Sequence, residues 1–163
     1  MMITHTRLRQ VLYYHPESGD WIWRECMGVR GVPGAQAGSR SVGGYWIVAV
    51  DGYGYQAGRL AWFYMKGRWP RNTIDHKDQN KLNNAWSNLR EATRNQQQHN
   101  RKVRKDSKTG VKGVMWFPQK KKYIAVIRLH GKKKYLGFYK TTQEAHIAYM
   151  KAASVLHGEF AHG

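Results

Sequence analysis

Thr73-Ile74-Asp75-His76-Lys77-Asp78-Gln79-Asn80-Lys81-Leu82-Asn83-Asn84 is the stretch on which the reading of this chain turns. It is polar, rich in Asn and Asp, and ends before a helical stretch expected from Asn88 to Arg101. Asn and Asp side chains hydrogen-bond nearby backbone and stabilise non-repetitive conformations, so the simplest reading is a strand, a side-chain-braced loop and a helix. Asp75 and His76 are adjacent, and neighbours on a strand point to opposite faces. Both can reach one substrate group only at a strand end or in a bent loop. The Asn-rich loop supplies such a bend, and Asn88, just before the helix, is placed to brace it and hold His76.

Upstream, residues 1 to 20 read as a short helix with Leu8, Val11 and Leu12 at helical spacing, ended by the turn run His15-Pro16-Glu17-Ser18-Gly19-Asp20. Trp21-Ile22-Trp23 is a short aromatic and β-branched strand, followed by a Gly-rich loop from Gly28 to Gly44 and a stronger strand from Tyr45 to Val50. Asp51-Gly52 then favours a tight hairpin returning through Tyr53 to Ala57. Leu60 to Met65 reads as a short buried helix that stops at Gly67 and Pro70. These elements are expected to frame the 73–100 segment rather than do chemistry.

Downstream, Arg101 to Lys108 is charged and lacks apolar periodicity, which marks an exposed linker and a domain boundary. Three alternating runs follow, Gly113 to Phe117, Tyr123 to Leu129 and Lys134 to Tyr139, separated by Lys-rich turns; they predict a three-stranded antiparallel meander. Thr141-Thr142-Gln143-Glu144 offers a helix N-cap with an acidic first turn, and Ala145, Ala148, Tyr149, Ala152, Ala153 and Leu156 form one small-residue apolar stripe. One helix would cover one face of the sheet and leave the other free. The expected division is 1–100, a basic linker over 101–108, and 109–163.

The bulk numbers narrow the function. With 163 residues, the chain has room for two compact modules. Lys and Arg total 28 against 10 Asp and Glu, a formal charge of +18, and self-repulsion of that size points to a polyanionic partner. Nucleic acid is the default. A membrane surface fits less well, because the basic residues are interleaved with Trp, Tyr and strand-like patterns rather than displayed on one long amphipathic helix. The longest apolar runs are too short to cross a bilayer and the N-terminus has no signal-like apolar region, so a cytosolic location is expected. Cys26 is the only cysteine, which excludes an internal disulfide and a Cys-based zinc knuckle. The cores must rest on seven Trp, ten Tyr and four Phe.

Hydrolysing a phosphodiester at neutral pH needs a base to take a proton from water and a cation to stabilise charge on the phosphate and leaving oxygen. A lone Asp-His pair is usually a solvated turn. Here the pattern runs on through Asp75-His76-Lys77-Asp78-Gln79-Asn80, Asn83-Asn84, Asn88-Leu89-Arg90 and Thr93. In that register it resembles the HNH endonucleases of the ββα-metal type, found in phage-borne and homing-type nucleases. The resemblance implies that Asp75 is a metal ligand, His76 the general base and Asn88 the loop-bracing residue.

Two departures stand out. The family's third position, a metal-binding Asn or His on the helix, falls on Gln97, whose amide oxygen can ligate Mg²⁺ but on a longer side chain that is harder to pre-organise. His99 is the alternative ligand; residues two apart on a helix point about 200° apart, so the two cannot both face one metal, and spacing favours Gln97. Gly58 stands where relatives often carry His before the Arg; Arg59 remains and could hold a phosphate or brace the site. His5, His15, His130, His146, His157 and His162 show no ligand spacing and read as surface or structural.

Residues 108 to 160, through Gly110-Val111-Lys112-Gly113-Val114-Met115-Trp116, Lys134-Tyr135-Leu136-Gly137-Phe138-Tyr139 and Glu144 to Ala153, resemble the Apetala-type DNA-binding domain of plant ethylene-response factors. The resemblance implies a sheet lying in the DNA major groove, with Lys112, Trp116, Lys122, Arg128, Lys132 and Lys134 as candidate contacts. Between Arg101 and Lys134 there are 13 Lys or Arg against one acid, Asp106. Lysines would supply phosphate affinity while a few sheet residues, Arg128 chief among them, would read bases.

The expected fold class is therefore α+β: a ββα-metal HNH core with a β-rich N-terminal part, then a small three-stranded sheet plus one helix. The expected function is a metal-dependent DNA endonuclease, phage-encoded and acting in a bacterial cytoplasm. Its cofactor would be one Mg²⁺ (or Mn²⁺) and its partner double-stranded DNA, with no small-molecule cofactor; it would be a monomer or weak dimer. The competing reading is a non-catalytic DNA-binding regulator derived from such a nuclease. RNA binding ranks third, since no ribonucleoprotein-type aromatic motif occurs.

Overall fold

The structure is a computed structural model, and it describes residues 3–28, 31–100, 103, 107–129 and 132–161. Most of the charged stretch expected to be a linker, including Lys102, Arg104, Lys105 and Asp106, lies outside the described residues. By contact the chain divides into two compact units, Met1–Arg94 and Asn95–Gly163. The division falls earlier than the boundary suggested by charge and runs through the third helix.

The first unit opens with α1 (His5–Val11), capped by the Thr4 side chain, which accepts from Arg7 N–H. The helix stops at Val11, short of the His15–Asp20 turn expected to end it, because Leu12–Tyr14 forms strand β1. It pairs antiparallel with β2 (Trp21–Trp23) in the register Leu12↔Trp23 and Tyr14↔Trp21. Leu8, Val11, Leu12, Tyr14 and Trp21 are all buried. Each of the aliphatic ones contributes about 1.5–3 kcal/mol by leaving water.

A second sheet, of order β3-β4-β5, is made by Ser39–Arg40, Trp46–Val50 and Tyr53–Gln56. The Ser39–Arg40 strand lies inside the stretch read as a Gly-rich loop. Asp51 and Gly52 both have positive φ, 50° and 81°, the mirror-image turn that matches strand twist. Helix α2 (Ala57–Lys66) follows directly and ends on Gly67, whose left-handed backbone returns its N–H to Phe63 O. Its face of Ala57, Leu60, Ala61, Phe63 and Tyr64 is buried with the N-terminal strands in one core. Trp69 stacks on Phe63 at 4.4 Å between ring centroids.

The 73–100 segment differs from the strand, loop and helix expected. β6 (Thr73–His76) pairs antiparallel with β7 (Leu89–Ala92), and α3 (Arg94–His99) begins only after it. Asn88 ends a 3₁₀ turn, Trp86–Asn88, instead of opening a helix. Leu89–Ala92 is extended because its partner lies across the loop, a pairing that outweighs local helical propensity.

The second unit holds β8 (Val114–Phe117), β9 (Lys122–Leu129) and β10 (Lys132–Tyr139) as an antiparallel meander, with α4 (Thr142–His157) on one face. Thr141 and Glu144 form a reciprocal capping box. Val114, Ala125 and Ile127 from the sheet meet Ala145, Tyr149 and Ala153 of the helix. Among the described residues no helix is long and apolar enough to cross a membrane.

Candidate active site and candidate nucleic-acid interface

The loop between β6 and β7 is held by its own side chains, with Asp78 and Asn88 at the centre. Asp78 Oδ1 accepts from Asn80 N–H at 2.8 Å and from Asn88 Nδ2 at 3.0 Å, and Oδ2 accepts from Asn83 Nδ2 at 2.7 Å. In return Asp78 N–H donates to Asn88 Oδ1 at 3.0 Å, and Asn88 Nδ2 also donates to Asn83 O at 2.8 Å. Partial burial opposes ionisation of Asp78. The donated bonds from Asn80, Asn83 and Asn88, with the neighbouring His76, outweigh that and hold its carboxyl below the ordinary value.

The N-terminal strands pin this loop from outside. Tyr14 OH donates to Asn84 O at 2.6 Å, and Trp86 N–H donates to Pro16 O at 2.7 Å. Burial pushes the Tyr14 phenol up, so it stays a donor across the working range. Gly19 sits so close to the Asn84–Ala85 backbone that a Cβ there would overlap it. Only glycine fits the position, since its φ of 84° also disfavours other residues.

His76 is the last residue of β6 and is 7% exposed. Its Nε2 lies 3.2 Å from Asn84 Oδ1, while Asn84 Nδ2 donates to Leu82 O at 3.2 Å. With the amide oxygen turned to the ring, Asn84 can accept from Nε2–H in the tautomer that carries its proton there. Asn84 thus meets His76, as does the ring of Tyr45 at 6.4 Å between centroids, whereas Asn88 acts on the loop. Asn84 was legible as half of an Asn pair, but nothing local shows which Asn faces the imidazole. Gly58 of α2 backs the arrangement: a Cβ would stand 3.3 Å from Asn84 Oδ1 and 3.4 Å from Leu89 Cδ2. A residue as large as His at position 58 would displace Asn84. Arg59 donates through Nη1 to Asn72 O at 3.1 Å, which ties α2 to the entry of β6.

Asp75 is 5% exposed and faces Arg90, its register partner on β7. Arg90 Nε donates to Asp75 Oδ2 at 3.0 Å, and Nη2 lies 2.9 Å from the same oxygen. A carboxylate is the right ligand type for a hard cation. Its charge is here balanced by a guanidinium, and no group of three His, Cys, Asp or Glu comes together among the described residues. Gln97 falls in the second unit and is half-buried, and the side chain of His99 lies outside the described residues.

The other histidines have local partners. His5 Nε2 lies 2.9 Å from Tyr64 O and His146 Nδ1 lies 3.2 Å from Lys112 O. His130 and His162 are outside the described residues.

Strand alternation sorts the candidate DNA contacts of the second unit. Val114, Ala125 and Ile127 face α4, so residues of the same parity or register share that side. Trp116 pairs with Tyr123, Lys134 with Ile127 and Lys132 with Leu129, which puts all three on the helix side of the pleat. Lys122 and Arg128 stand on the free face. Lys112 lies in the turn before β8, half-buried, and burial pushes its ammonium down.

Residues 55–99, from β5 through α3, match the family model described as HNH endonuclease. The span contains Gly58, Arg59, Asp75, His76, Asn84, Asn88, Gln97 and His99. Its ββα succession of β6, β7 and α3 agrees with an α+β fold carrying an HNH domain. No curated protein and no solved structure matches the chain significantly.

Proposed function

We propose that the chain is a metal-dependent HNH-type DNA endonuclease whose C-terminal unit binds duplex DNA. The observation that carries this reading is His76 at the end of β6, inside the matched span, with its imidazole held against Asn84. Asp78 and Asn88 hold the loop that fixes this orientation, and Tyr14, Pro16 and Gly19 hold the loop in turn. His76 would take the proton from the attacking water. A divalent cation, Mg²⁺ or Mn²⁺, supplies charge stabilisation at the phosphate when bound. Asp75 would be one ligand, and Arg90 would have to give up part of its hold on the carboxylate. Arg59 stays a brace. The basic sheet concentrates DNA at the cutter.

Supercoiled plasmid incubated with the protein and Mg²⁺ or Mn²⁺, with and without chelator, tests the reading. Chelator-sensitive nicking that disappears in His76→Ala, with DNA binding intact, supports it. An unchanged cutting rate in that variant discards it.

A second reading has its own observation. Asp75 and His76 are both buried, and Asp75 is committed to Arg90, as expected if the scaffold persists in a DNA-binding regulator that no longer cuts. Absence of metal-dependent cutting together with tight duplex binding would favour it.

A further inference from the structure

The face of the C-terminal sheet opposite α4 is graded from apolar to basic. In register across the three strands stand Met115, Ile124 and Phe138; beside them Val126 pairs with Tyr135, and beyond those Arg128 pairs with Lys133. A bulge between Tyr135 and Gly137 makes this possible. Leu136 packs on the helix side and Gly137 pairs there with Ala125, which brings Tyr135 and Phe138, three residues apart, to the same face. Phe117 packs on Phe138 at 5.3 Å between centroids, and Lys120 Nζ sits 4.2 Å over the Phe138 ring. Met115 is 49% exposed, Tyr135 64% and Phe138 38%, while Ile124 between Met115 and Phe138 is buried, so Met115, Tyr135 and Phe138 are the apolar side chains open on this face.

Phosphate oxygens gain nothing from methionine and phenylalanine. In the major groove the apolar group offered by ordinary base pairs is the thymine 5-methyl, whereas guanine calls for Arg. The charge around the row selects DNA over an apolar partner: Lys120, Lys122, Arg128 and Lys133 flank it, and no acid lies on these strands. We infer that the free face of the sheet reads thymine methyls with Met115 and Phe138, and that Arg128 and Lys133 anchor the neighbouring guanine or phosphate. This inference rests on the reading that the C-terminal unit binds duplex DNA. It departs from recognition by Arg alone, and makes T-bearing sites the preferred substrate of the tethered nuclease.

The test uses the full chain in chelator, so that no cutting intervenes. A duplex enriched from a randomised pool is compared with the same duplex carrying deoxyuridine for every thymidine, with a scrambled duplex, and with its separate strands. The expected result is a loss of about fourfold for each methyl contact removed. Met115→Ala and Phe138→Ala should shrink the difference between thymidine and deoxyuridine duplexes. Arg128→Ala should weaken both by the same factor and leave their ratio unchanged. Equal affinity for the two duplexes, with the scrambled one still rejected, overturns the inference and leaves the DNA-binding reading standing. Failure to bind any duplex, or tighter binding to the separate strands, overturns both. A DNA-free dimer that Met115→Ala dissociates would assign the face to a second copy of the chain and also overturn the inference.

Discussion

The loop between β6 and β7 and the free face of the C-terminal sheet solve opposite problems. In the loop, polar side chains bond one another: Asp78 receives three hydrogen bonds and Asn88 takes part in three. A buried polar group is costly unless paired, so this network is rigid and hides its histidine. The sheet face instead leaves Met115, Tyr135 and Phe138 open to water. Large exposed apolar groups in a basic field mark a surface awaiting a partner. The contrast is between order and exposure: one region holds a histidine still, the other presents apolar side chains to solvent.

Substitutions can break this contrast in order of expected effect. Under the nuclease reading, His76→Ala lowers the plasmid nicking rate by about 100- to 10,000-fold, the usual loss of a general base. Arg90→Met leaves Asp75 buried without its cation and destabilises the first unit by about 3–5 kcal/mol in denaturant unfolding. Added Mg²⁺ that restores stability to Arg90→Met would mark Asp75 as a cation ligand; no response would leave Arg90 as its lasting partner. Asn88→Ala removes the loop brace and costs about 1–3 kcal/mol, through donors and acceptors left unmatched. Tyr135→Ala on the sheet, by contrast, changes stability by less than about 0.5 kcal/mol, since an exposed side chain loses little.

The smallest effect is a pH dependence. The folded pKa of Asp78 is depressed, so its stabilising contribution is present above the unfolded value near 4 and is lost as pH falls through the folded one. Thermal unfolding followed from pH 6 to pH 3 should show this loss, and Asp78→Asn should flatten it.

Much of the architecture was legible because its signals are local. Asp51-Gly52 specifies a hairpin turn, Gly67 a helix stop, and Thr141 with Glu144 a helix start, each within a few residues. The three C-terminal strands follow from alternation and turn residues. Three strands escaped, Ser39–Arg40 within the Gly-rich stretch being the shortest. Leu12–Tyr14 continues the helical spacing of Leu8 and Val11, and is extended only because Trp21–Trp23 lies beside it. Leu89–Ala92 reads as helix until Thr73–His76 pairs with it.

The candidate site divides the same way. Sequence alone determined that a carboxylate and an imidazole stand side by side before an Asn-rich loop, and that the C-terminal half is strongly basic. Tertiary structure alone decided that Asp75 faces Arg90, that Asn84 meets His76, that Gly58 and Gly19 leave room for Asn84, and that Met115 rather than Trp116 stands on the open side of the sheet. Turn and cap chemistry is written in neighbouring residues. Which face is covered, and which side chain neutralises which, depends on strands that meet only after the loops close.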